Sequence, residues 1–210
     1  MTTTTAKLPK GFISDVYFSY TCIANPKFKY ESTTEKEYSV NIILSKEQAK
    51  AFKAITVNGL KINKTVKEID TEDFEKSQKF PPPYPDQDSQ YIVTFTQNVK
   101  TTKGEPLPEY LRPVTYKSLD NGATENITDV EVGNGSFGDI SYTQYPGKKG
   151  ITVKLSAILV KDLVPYVKAN SDPWAAACVS TKSTSSAPAA TKKPEVLEED
   201  DDVDESDLPF

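Results

Sequence analysis

At 210 residues the chain is long enough for one domain with a tail, or for two small domains. It has 25 basic and 30 acidic residues and no histidine, which removes the commonest general base and metal ligand, and with them zinc sites and Ser-His or Cys-His nucleophiles in their usual forms. Nine of the acids lie in Glu195–Phe210, so the 25 basic and remaining 21 acidic residues leave +4 on residues 1–194; a basic body joined to an acidic tail points to nucleic acid as a partner, or to a tail that competes with it.

The first ten residues of "MTTTTAKLPKG" read as a flexible N-terminus, and the stretch has no apolar run, so no signal peptide is expected. No apolar run approaches the roughly 20 residues that cross a bilayer, and no membrane association is expected. "FISDVYFSYTCIA" (12–24) alternates, predicting a half-buried strand with Val16, Phe18, Tyr20 and Cys22 on one face. "NPKFKYESTTE" is turn-like, and "KEYSVNIIL" is a second strand with Tyr38, Val40, Ile42 and Leu44 on one side. Ser45-Lys46-Glu47-Gln48 is a capping box opening a helix through Ile55, with Ala49 and Phe52 on its stripe. A second helix is predicted over about Thr71 to Lys79, stopped by the prolines of "FPPPYP".

Strands resume with "QYIVTFTQNV" (Tyr91, Val93 and Phe95 on one face) and "RPVTYKSL", and Asp120-Asn121-Gly122 signals a turn. The run from "GNGSFGDISYTQY" through "PGKKG" to "ITVKLSAILV" reads as a strand, a Pro-Gly-Lys-Lys-Gly connection suited to a hairpin, and a long strand. Its first strand should present Asp139, Ser141, Thr143 and Tyr145 outward, with Ile140 and Tyr142 opposite. Beyond about Asn170 the Ser/Thr/Ala/Pro-rich stretch cannot bury a core. The expected organisation is a body over 11–169, a flexible linker over 170–194 and a disordered acidic tail over 195–210. Turn-punctuated strands make the body mainly β, a small barrel or sandwich with one or two inserted helices. The two cysteines, Cys22 and Cys178, sit in contexts that do not suggest a disulfide framework, so a reducing cytosol is the default.

Aromatic and basic residues recur together in the connections of this body. Tyr145 adjoins Lys148 and Lys149. "NPKFKY" offers Lys27, Phe28, Lys29 and Tyr30; "KFPPPYP" offers Lys79, Phe80 and Tyr84; and Lys100 and Lys103 precede Arg112 and Tyr116. A base has a π-face to stack and a phosphate a charge to neutralise, so this combination suits single-stranded nucleic acid. The competing reading is of hairpin tips with solvating lysines. No catalytic constellation stands out, and neither a metal site nor a cofactor is expected; the Gly cluster "GNGSFG" lacks the strand–turn–helix setting of a phosphate loop. The tail closes on Leu208-Pro209-Phe210, which solvation does not explain. A terminal Phe behind an acidic run (Asp204 and Asp207 nearest) suits a partner with an apolar pocket beside a basic rim.

"DESDLPF" resembles the Asp-rich, Phe-terminated tail of single-stranded DNA-binding proteins. Over Gly11–Tyr166 the order of elements resembles the phage replication type, with "ANPKF", "PPPYP" and the Gly-rich start to a strand ending in Tyr145. The resemblance implies an OB-fold-like barrel with inserted helix and acidic tail, found in the bacterial host cytoplasm. It implies a non-enzymatic protein that coats single-stranded DNA without sequence preference in replication, recombination and repair, is often a homodimer, and contacts polymerase and helicase or primase through its tail. Tyr145 would then stack on bases, with Tyr142 or Tyr84 as possible second stacking residues, and Lys100 and Lys103 would contact phosphates. A β-rich scaffold or chaperone-like protein whose acidic tail engages basic partners is the alternative class.

Overall fold

The computed structural model describes residues 9–57, 59–147 and 150–167; Lys148, Lys149, the linker and the tail lie outside the described residues. Among the described residues, ten strands and two α-helices follow in the order β1 (Lys10–Phe28), β2 (Lys36–Leu44), α1 (Lys46–Ala54), β3 (Thr56–Val57), β4 (Leu60–Lys61), β5 (Lys67–Asp70), α2 (Thr71–Gln78), β6 (Ser89–Asn98), β7 (Val114–Ser118), β8 (Thr124–Asn126), β9 (Phe137–Gly147) and β10 (Gly150–Asp162). Eight strands form one sheet in the order β5-β6-β2-β1-β9-β10-β7-β8. Every pairing is antiparallel except β10 with β7.

The inner five, β6-β2-β1-β9-β10, follow the neighbour order of an OB-like barrel, and β6 and β10 touch, so the sheet curls on itself. No hydrogen-bonded ladder joins these two strands among the described residues; a single parallel bridge between Ile62 and Ile151 ties the connection after β4 to β10. The fold is thus mainly β and OB-like, with the barrel left open by pairing. No helix among the described residues is long and apolar enough to cross a membrane.

The curl encloses Val16, Phe18, Val40, Ile42, Leu44, Val93, Phe95, Ile140, Tyr142, Val153 and Leu155. Helix α1 adds Ala49 and Phe52, the latter edge-on to Phe95 at 5.9 Å. Its capping box forms as predicted: the Gln48 N–H donates to Ser45 Oγ and the Ser45 N–H to Gln48 Oε1. On the outer side of β2 and β6 a smaller core of Ile43, Ile92 and Phe74 lies under α2, with Tyr17, Phe80 and Tyr84 packed against it.

Strand β1 departs from the simple alternation. Residues Asp15 (φ 57°) and Tyr20 (φ 47°) take left-handed backbone, and the register slips near each of them. Each slip reverses which parity faces the core. The core side therefore runs through Ile13, then Val16 and Phe18, then Ile23. Tyr20, predicted on the core face, is instead exposed, with its hydroxyl donating to the Ser77 carbonyl. Cys22 is not part of the core either. The turn predicted at "NPKFKYESTTE" is shorter, because β1 continues through Asn25-Pro26 to Phe28 before turning at Lys29–Glu35.

Candidate nucleic-acid interface

The β1–β2 turn is closed by the Lys29 N–H on the Glu35 carbonyl and the Glu35 N–H on Ser32 Oγ. The loop after β6 lies against it, since the Val99 N–H reaches the Lys36 carbonyl and the Leu107 N–H returns to Val99. Two segments far apart in sequence thereby place Lys29, Lys36 and Lys100 around a concavity of about 340 Å³, with Glu35, Asn98 and Thr101. Lys27 stands opposite Glu37 in the β1–β2 register. Phe28 is 52% exposed, with the Lys36 ammonium 5.0 Å from its ring centroid. Lys103 sits at the tip of the Thr101–Gly104 turn.

Next to this lies the outer face of β2 and β6, where a trough of about 370 Å³ is lined by Asn41, Lys64, Thr65, Lys67 and Thr94 among others. Thr94 Oγ1 and Asn41 Oδ1 hydrogen-bond across the two strands at 2.7 Å. Lys64 follows the segment bridged to β10, and Lys154 projects from β10 between the core residues Val153 and Leu155.

The electrostatics join these pieces. Burial holds the Lys64 amine below the ordinary lysine range, and the neighbouring Lys154 lowers it further, against a smaller opposing pull from Glu37. Burial does the same to Lys154, helped by Lys29 and opposed by Glu37. Glu35 is held below the usual carboxylate range by its hydrogen bond and charge contact with Lys29, with a further contribution from Lys100. Lys29, Lys64, Lys100 and Lys154 therefore form one field containing two carboxylates, Glu35 and Glu37. Cations gathered in this way favour a polyanion, which would relieve their repulsion and replace the water they have lost.

Comparisons with known proteins give few matches. No family model matches the chain, and no curated protein matches it. Among solved structures, the single-stranded DNA-binding protein of bacteriophage Enc34, truncated at its C-terminus, is similar at 16% identity and a TM-score of 0.40, covering 75% of this chain and 88% of its own. The same phage protein in complex with single-stranded DNA is 13% identical with a TM-score of 0.39, over 75% and 89% of the two chains. The single-stranded DNA-binding protein gp2.5 of bacteriophage T7 is 15% identical with a TM-score of 0.42, over 87% of this chain and all of that one.

The residues singled out by sequence divide into groups. Lys27, Phe28, Lys100 and Lys103 meet at the β1–β2 end. Arg112 donates from Nε to the Leu107 carbonyl and so braces the loop that carries Lys100. Tyr145 lies on the outer face of β9, beside Thr152 and diagonal to Lys154. Tyr116 is exposed on the outer face of β7, away from the loop of Lys100.

Two aromatic assignments need correction. Tyr142 is 1% exposed; its ring lies over Gly11 in the core, where a Cβ would stand 2.2 Å from it, so no base can reach it. Tyr84 is half-buried, edge-on to Tyr17 at 5.9 Å and hydrogen-bonded to Gln48, and burial pushes its phenol up to about 12. Its ring is committed to packing. Lys79 is the left-handed C-cap of α2.

Sequence reasoning missed Lys36, Lys64 and Lys154. Lys154 had a signal, a lysine between two core-facing residues of a long strand. Lys64 had none, because its neighbours come from β2, β6 and β10, all distant in sequence.

Proposed function

We propose that this chain binds single-stranded DNA without sequence preference, along the lysine field formed by the β1–β2 turn, the β2–β6 trough and the start of β10. What carries the reading is the pair of partly buried, mutually repelling amines of Lys64 and Lys154 within one cation field. Five lysines there (29, 36, 64, 100 and 154) can neutralise successive phosphates. Phe28 and Tyr145 offer rings beside them for bases to stack upon. In OB-like barrels the first hairpin loop, the loop between the last two strands and the face of the second and third strands are the parts that take oligonucleotides. Here those parts are the Lys29–Glu35 turn, the connection of β9 to β10, and β2 with β6.

In this reading the protein serves replication and recombination by coating exposed strands. The acidic tail, with Leu208-Pro209-Phe210 at its end, competes with DNA for the basic body and, once displaced, recruits replication proteins. Its support is the charge division between +4 in residues 1–194 and nine acids in the last sixteen.

The test is a mobility shift with oligo-dT across a salt series. Each phosphate neutralised contributes about −0.7 to the slope of log K against log salt. Lys64→Ala with Lys154→Ala should therefore weaken binding and flatten the slope by roughly 1.4. Binding that is undetectable, or indifferent to salt, would sink the proposal and favour a scaffold that binds basic proteins through its tail.

A further inference from the structure

A further concave surface lies on the outer face of β1, β9, β10 and β7, with a volume of about 410 Å³. Phe12, 69% exposed, stands on one side and Tyr116, 37% exposed, on the other; Ser141, Ala157 and Leu159 make the floor, and Lys10 stands at the rim. The surface is mostly apolar, yet it lies on the water side of the sheet.

Two backbone irregularities build it. Had β1 alternated without interruption, Phe12 would share the core face with Val16 and Phe18. The left-handed residue Asp15 reverses the parity and turns Phe12 outward. A second slip, at Ser156 of β10, puts Ala157 and Leu159 on the outer face while Ile158 and Val160 take the core. The slip at Asp15 is fastened: its N–H donates to Asp139 Oδ1, and Lys161 bridges both carboxylates at 2.9 and 2.7 Å. Lys161 also balances the one acid that lines this surface, Asp139. Non-glycine residues in left-handed backbone cost free energy and persist where the surroundings enforce them.

The surface is continuous with the lysine field. Register places Lys10, Thr143 and Lys154 in one row across β1, β9 and β10. The next row is Phe12, Ser141 and Ala157. At about 3.3 Å per residue, Lys154 stands only about 10 Å from Ala157 along β10. Cations one row away from an aromatic-walled apolar floor match the two halves of a nucleotide.

Resting on the DNA-binding reading above, we propose that this surface is a second nucleotide subsite. In it, bases of the strand leaving Lys64 and Lys154 stack against Phe12 and Tyr116 while their phosphates follow Lys154 and Lys10. The sequence-tolerant partner of such a surface is any base, since each offers a π-face.

The test compares two lengths of oligo-dT on the full chain, about 5 and about 15 nucleotides, within the range of one OB-type domain. Phe12→Ala should weaken the long oligonucleotide about tenfold or more and leave the short one unchanged, because one lost stack removes that much affinity. Phe12→Trp should restore long-oligonucleotide binding, and its indole emission should quench on binding; Phe12→Leu should behave as alanine does. Equal effects at both lengths, or none at either, overturn the subsite. So does a fall in the molecular mass of the DNA-free protein on Phe12→Ala in sedimentation, which would make the surface a contact between copies. If the unsubstituted protein binds neither length, the DNA-binding reading itself fails. If Lys64→Ala with Lys154→Ala abolishes short-oligonucleotide binding while Phe12→Ala spares both lengths, only the subsite fails.

Discussion

The amines of Lys64 and Lys154 are in tension with the fold. Burial lowers both below their ordinary range, with further repulsion on Lys64 from Lys154 and on Lys154 from Lys29. A lysine with a lowered folded-state pKa binds more protons unfolded than folded across the interval between the two values, so stability rises with pH through that interval. From neutral pH toward the ordinary lysine range near 10.4, the DNA-free protein should therefore gain melting temperature. Tyr84 acts in the opposite sense, because its raised value of about 12 withdraws stability as pH climbs from about 10 to about 12. A thermal-melt series kept below pH 10 separates them. Lys64→Met should melt higher than the parent at pH 7, flatten the alkaline gain and weaken DNA binding. A lower melting temperature for Lys64→Met would show that the amine is not under strain.

At the scale of elements, the irregularities of β1 decide what the sheet presents. Gly11 pairs with Tyr142 across β1 and β9, and the Tyr142 ring occupies the space where a side chain on Gly11 would be. Gly11→Ala forces that ring to move against Phe52 and Phe95, and should cost about 1–3 kcal/mol as an overpacked core does. Denaturant unfolding measures this, and Tyr142→Leu in the Gly11→Ala background should recover part of the loss. The same elements show what was legible in the sequence. Local chemistry was: the Ser45–Gln48 capping box and the Asp120-Asn121-Gly122 turn form as read, and β9 and β10 pair as the expected hairpin, although Pro146, Gly147 and Gly150, read as connection, belong to the paired strands. Phase was not. Alternation locates Val16 and Phe18, but the slip at Asp15 is fixed by Asp139 and Lys161, more than a hundred residues away in sequence. "LSAILV" is apolar at every position but Ser156, where the slip falls, so Ala157 to Val160 show no alternation that would mark which of them face the core. The site was legible where one connection carries both ring and charge, as at Lys27-Phe28, and illegible where β10 and the connection after β4 meet.

At the scale of the whole molecule, charge is divided between body and tail. If the tail competes with DNA, removing residues 195–210 should tighten oligo-dT binding, most at low salt, where unscreened charges act over longer distances. Titration of both forms at two ionic strengths checks this. Weaker binding by the shortened chain would overturn the competition.

The sheet also ends in a particular way. Its outermost strands are β5, four residues bearing Lys67, Glu68 and Asp70, and β8, only three residues, Thr124–Asn126. Long, flat, apolar edges recruit other strands, whereas short or charged ones resist it. A protein that crowds along a DNA strand would hold many copies side by side at high local concentration. Blunt edges of this kind keep such crowding from turning into edge-to-edge polymerisation, so neighbours on the strand would meet through side chains and remain free to part when the DNA is taken away.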